Sequence, residues 1–116
     1  KKYVWTIEHI FPEGENIPAS WVQMIAGGDA ALAKQYRLDY VHTIGNLTIT
    51  GYNQNLSNMS FDQKRDRKSK DKTKEIGYKN GLYLNKDVVN QSKWTVDKIR
   101  NRTDMLVKIL MEMYKW

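Results

Sequence analysis

At 116 residues the chain is sized for one domain with a modest core, and its 41% hydrophobic content excludes a disordered polymer. No run of about 18 apolar residues exists to span a membrane, the opening Lys1-Lys2-Tyr3-Val4-Trp5 lacks a secretory signal pattern, and zero Cys excludes disulfides and thiolate metal sites. The net charge of +6, from 19 basic and 13 acidic residues, points to a polyanionic partner, and a cytoplasmic location is expected.

In chain order, Val4-Trp5-Thr6-Ile7 reads as a short strand that carries Glu8 and His9 to its end. Pro12, Gly14 and Pro18 then break the chain into a loop. Ser20 caps a short helix through Trp21–Ile25, stopped by Gly27-Gly28. Asp29 caps a second helix from Ala30 to about Asp39, with Leu32, Tyr36 and Tyr40 on one face. Asn46 to Thr50 alternates and is rich in β-branched residues, so it reads as a second strand ended by Gly51.

A basic helix follows, starting near Asn55 or at Ser60, where Ser60 and Gln63 have the spacing of a capping box, and ending by Gly77. It concentrates the positive charge: residues 64–74 hold Lys64, Arg65, Arg67, Lys68, Lys70, Lys72 and Lys74 against Asp66 and Asp71. Gly81–Asn85 reads as extended. Thr95 caps a final helix with Val96, Ile99, Leu106, Ile109, Leu110 and Met113 on its apolar face. Trp94 and Trp116 read as core residues. The expected fold class is α+β, mainly helical: a two-stranded antiparallel sheet plus a helix, with added helices. With no initiator Met, residues 1–116 are expected to be a single domain excised from a longer protein.

The chemistry-bearing residues are Glu8, His9, Asn46 and Asn55. Phosphodiester hydrolysis needs a proton acceptor for the attacking water, counter-charge for the phosphate and stabilisation of the departing oxygen. His9, with an imidazole pKa ordinarily about 6.5, suits the first role. Glu8 and Asn55 offer the hard oxygen donors that Mg²⁺ or Mn²⁺ takes. Adjacent side chains on a regular strand point to opposite faces, so convergence of Glu8 with His9 requires a bend or bulge. Asn46 can donate and accept at once, and could tie the loop after His9 to the second strand. His42, near the site in sequence, reads as structural. Taken singly, a Glu-His pair is more often a surface pair, and Asn53, Asn55 and Asn58 are ordinary turn or cap residues. The joint order of the residues is what points to an H-N-H nuclease site.

Ile7-Glu8-His9-Ile10-Phe11-Pro12, His42-Thr43-Ile44-Gly45-Asn46-Leu47-Thr48-Ile49 and Asn55-Leu56-Ser57-Asn58 with Phe61 and Lys64 resemble the C-terminal HNH endonuclease domain of GmrSD-type modification-dependent restriction proteins. Leu82-Tyr83-Leu84-Asn85, Trp94, Ile99, Arg102 and Leu106 are similar to that family's tail. The resemblance implies an HNH ββα-metal fold, a divalent cation and cleavage of double-stranded DNA in defence against phage or foreign modified DNA. It implies His9 as general base, Asn46 as the structural middle residue of the catalytic motif, and Glu8 with Asn55 on the metal side. Asn58 is the alternative to Asn55 in another helix register, and His42 an additional site residue. Many relatives carry Asp where this chain has Glu8. An N-terminal nucleotide-hydrolysing domain is the implied partner in the parent protein.

The expected function is therefore a metal-dependent DNA endonuclease leaving 5′-phosphate and 3′-hydroxyl ends, with Lys64, Arg65, Arg67, Lys68 and Lys70 on the phosphate backbone. The rivals are a DNA-binding module of the same fold that has lost cleavage, and a protein-interaction domain using the aromatic residues and the last helix.

Overall fold

The computed structural model describes residues 6–50, 56, 59–69, 71–79 and 83–114. Strand β1 (Thr6–His9) pairs antiparallel with β2 (Leu47–Thr50), with Glu8 opposite Thr48 and His9 opposite Leu47. Between them lie α1 (Ala19–Ala26), α2 (Ala30–Tyr40) and a 3₁₀ turn, Ile44–Asn46. After β2 come α3 (Phe61–Asp66), a second 3₁₀ turn (Tyr83–Asn85), α4 (Lys86–Val89) and α5 (Val96–Met113). The architecture is a small α+β fold, and its β1–β2–α3 order is consistent with an HNH-like ββα core. Among the described residues no helix is long and apolar enough to cross a membrane.

Local chemistry explains most element ends. Gly27, at φ +61°, closes α1 in the left-handed conformation that glycine adopts without cost. Asp29 Oδ1 accepts from the Leu32 N–H and caps α2. Ser60 and Gln63 form a reciprocal capping box at the start of α3, which among the described residues decides for the later start of that helix. Ser20 is not a cap: α1 begins one residue earlier, after Pro18.

Three expectations are corrected. The basic helix stops at Asp66, because Arg67 turns extended and Lys68 bridges Glu75 in a hairpin-like return. Asp71 stabilises that turn by accepting from the Ser69 and Thr73 hydroxyls and the Thr73 N–H, which holds its carboxyl at about 2. The described residues of 81–85 form a 3₁₀ turn rather than a strand. The apolar face of α5 is buried only in its first turns, at Val96 and Ile99. Further along, Leu106, Ile109 and Leu110 line an open apolar groove of about 320 Å³ with Ile7, Leu47 and Ile49.

The core gathers Phe11, Trp21, Phe61, Tyr78 and Trp94, with Phe61 stacked on Trp94 at 5.7 Å. Trp94 is thus a core residue, and Trp116 lies outside the described residues. Arg102 joins α5 to the sheet. Its guanidinium donates to the carbonyls of Gly45, Leu47 and Leu84 and pairs with Asp87 at 3.0 Å. Gly45 lies directly against α5, where a Cβ would collide with the Ile99 carbonyl and the Thr103 hydroxyl.

Gly45→Ala is therefore expected to lower stability by about 1–3 kcal/mol, the usual range for overpacking. A urea-unfolding midpoint equal to that of the wild type would contradict the close approach.

Candidate active site

His9 ends β1 and is half-buried. Its Nε2 stands 3.1 Å from His42 Nδ1, so one ring nitrogen donates and the other accepts. Its Nδ1 lies 3.6 Å from Glu13 Oε1. Burial lowers the His9 pKa below the ordinary imidazole value, opposed by the Glu13 carboxylate and assisted by His42. The neutral ring, the form that accepts a proton, therefore prevails at neutral pH.

The backbone around His9 is clamped from two sides. Lys64, on α3, is fully buried; its Nζ donates to the His9 and Ile10 carbonyls, each at 2.9 Å. The same ammonium lies 2.9 Å from Glu8 Oε2. Burial lowers the Lys64 pKa, and Glu8 opposes that shift. Tyr78 also donates to Glu8 Oε2, at 2.8 Å, and burial first, then Glu8, raises its pKa well above the usual phenol value.

Asn46 holds the other side. Its Oδ1 accepts from the Phe11 N–H at 2.8 Å and from Trp94 Nε1 at 3.1 Å. Its Nδ2 donates to the carbonyls of Phe11 and Val41, both at 2.9 Å. One fully buried amide thus connects the turn after His9, the end of α2, the second strand and Trp94.

Glu8 and His9 do not converge through a bulge. The ladder runs unbroken through His9, so the two side chains meet different partners, as alternation along a strand requires. Among the described residues Lys64 and Tyr78 both meet Glu8 through Oε2. Asn55 and Asn58 lie outside the described residues, as does Lys70. Glu13, which sequence reasoning passed over, stands beside His9 instead. The only available signal was its i,i+4 spacing from His9, across a proline-broken loop where no helix makes that spacing meaningful. Donor atoms of His9, Glu13 and His42 lie within 4.8 Å of one another and form the group that could hold a metal.

The basic segment also differs from expectation. Lys64 is spent inside the protein and cannot reach a phosphate. Arg65 is engaged by Asp62, Asp66 and the Gln91 carbonyl. Lys68 is exposed, 3.7 Å from Glu75, and Arg67 is half-buried with an Nε that finds no partner among the described residues.

Residues 1–109 match the family of GmrSD restriction endonucleases, C-terminal domain. The chain belongs to this family. No curated protein and no solved structure gives a match. The GmrSD match spans β1, both clamps on His9 and most of α5.

Asn46→Ala would orphan two buried donors and two carbonyls at once. At about 1–3 kcal/mol for a buried group left unpaired, a loss of roughly 3 kcal/mol or more is expected. A melting temperature within a degree or so of wild type would show that the amide does not hold the site.

Proposed function

We propose that this domain is a metal-dependent DNA endonuclease that hydrolyses phosphodiester bonds, in defence against phage or foreign modified DNA. The reading rests on His9, a neutral and half-buried imidazole at a strand end whose backbone is fixed by Lys64 and Asn46. Membership of a restriction endonuclease family supports the same chemistry.

His9 takes the proton of the attacking water, a contribution on the order of 10²–10⁴-fold in rate. His42 orients the ring through the 3.1 Å contact and sets which nitrogen carries the proton. Asn46 belongs to the site as its structural amide. Glu8 and Asn55 would supply the hard oxygen donors for Mg²⁺ or Mn²⁺, with Asn58 the alternative to Asn55. Such a cation, when bound, would offset charge on the phosphate and on the departing 3′ oxygen. Lys64 and Tyr78 fix Glu8 through Oε2 from the interior side, so the carboxylate is held on a rigid support. Double-stranded DNA is the proposed substrate, and a nucleotide-hydrolysing domain of the parent protein the proposed partner.

One observation favours the alternative, a DNA-binding module that no longer cuts: the Lys64 ammonium already offsets the Glu8 carboxylate, which weakens its pull on a cation.

Supercoiled plasmid with Mg²⁺ or Mn²⁺ separates the two. Nicking is expected with metal, none in EDTA, and a loss of about 10²–10⁴-fold in a folded His9→Ala variant. Because the base works deprotonated and burial lowers its pKa, the rate should rise with pH to a plateau, with a midpoint below about 6.5. Wild-type protein that binds DNA without nicking it under any of these conditions would establish the alternative.

The exposed cations set the salt dependence. Lys68→Ala is expected to weaken DNA binding uniformly across sequences and to reduce the salt slope by about 1. Lys64→Met should instead lower the melting temperature and leave the slope unchanged. Equal slopes for Lys68→Ala and wild type would remove Lys68 from the interface.

A further inference from the structure

We propose that His9, Glu13 and His42 form a second metal site, selective for a borderline transition cation such as Zn²⁺, and that its occupation switches the nuclease off. The inhibitory half rests on His9 acting as proton acceptor; the site itself does not.

The donor set differs in kind from the one offered to Mg²⁺. Two imidazole nitrogens and one carboxylate oxygen suit Zn²⁺, and Mg²⁺ prefers oxygen alone. The spacing also fits. Nitrogens about 2.0–2.1 Å from one tetrahedral ion stand about 3.3 Å apart, and His9 Nε2 and His42 Nδ1 are 3.1 Å apart. One carboxylate oxygen of Glu13 and one ring nitrogen of each histidine lie within 4.8 Å of one another, and Glu13, 3.6 Å from His9 Nδ1, is an exposed side chain that can rotate toward the pair. Three protein ligands leave the fourth position to water, the pattern of an open rather than a structural zinc site.

All three donors sit on anchored backbone. Lys64 holds the His9 carbonyl. Arg37, on α2, donates through Nε to the Glu13 carbonyl at 2.8 Å and pins the loop that carries Glu13. Asn46 holds the Val41 carbonyl next to His42. The backbone that carries the ligands therefore has little to lose on binding, which favours affinity.

Occupation has a direct chemical consequence. A neutral imidazole has one lone pair. With that pair on Zn²⁺, the remaining ring nitrogen carries the proton and His9 has nothing left with which to accept another. Zn²⁺ and Mg²⁺ would then act in opposite senses on different ligands, with Glu8 outside the zinc set.

The test pairs a binding titration with the plasmid assay. Co²⁺, whose visible absorption reports a tetrahedral mixed-ligand site, and Zn²⁺ in competition with a chromophoric chelator are titrated into wild type, His42→Ala and Glu13→Gln. One equivalent bound by wild type, with affinity about tenfold or more weaker in His42→Ala, is expected. In the plasmid assay one equivalent of Zn²⁺ should suppress Mg²⁺-supported nicking by wild type, and the ratio of rates with and without Zn²⁺ should move toward unity in His42→Ala. Equal Zn²⁺ affinity in wild type and both variants overturns the site. Site-specific Zn²⁺ binding that leaves Mg²⁺-supported nicking unchanged overturns the switch. If no metal supports nicking, the nuclease reading fails, and the titration alone still upholds or overturns the site.

Discussion

The Asn46 side chain is the constraint on which the rest of the structure depends. A primary amide buried without partners is costly, and this one spends both its oxygen and its nitrogen on groups from three separated stretches of chain. It closes the long loop between the strands onto the residue pair Ile10-Phe11, whose backbone N–H groups go to the carbonyl and the side-chain oxygen of Asn46. An aliphatic residue would keep the main-chain carbonyl for Ile10 but would leave the Phe11 N–H and the Trp94 indole N–H buried without this partner. The same bonds determine where His9 ends and the turn begins.

Lys64 performs the matching task from the other side. A fully buried ammonium is tolerated because its donors are met by two carbonyls and a carboxylate. With Tyr78 on the same Glu8 oxygen, α3 and β1 become one unit. Helix α3 therefore contributes an internal cation, and the exposed Lys68 lies in the return that follows it. Arg102 repeats the arrangement at the same end of the sheet, where Leu47 pairs with His9, tying α5 to the backbone of Gly45, Leu47 and Leu84. Three buried polar side chains thus organise a small core that aromatic packing alone would leave loosely specified.

Much of this was legible in the chain. Alternation and β-branching marked β2, Asp29 and Ser60 marked two helix starts, and Gly27 marked a helix end, because caps and turns are local and their chemistry is written in consecutive residues. The basic run was misread as a helix because lysine and arginine have good helix propensity, whereas the break at Arg67 and the pairing of Lys68 with Glu75 depend on a return of the chain that composition does not encode. For the same reason Lys64 looked like a surface charge: a cation's burial depends on which carbonyls another segment brings to it.

The sequence by itself determined the residue types and their order: an acidic residue beside His9, an asparagine before the second strand, no cysteine, and an excess of positive charge. Those are covalent facts, and they constrain the chemistry to imidazole, carboxylate and amide groups. Only the tertiary structure decided which groups meet. It gave Glu8 to Lys64 and Tyr78, and it set His9 against His42 and Glu13. The reason is physical: alternation along β1 sends neighbouring side chains to opposite faces, and the loop closed by Asn46 decides what waits on each.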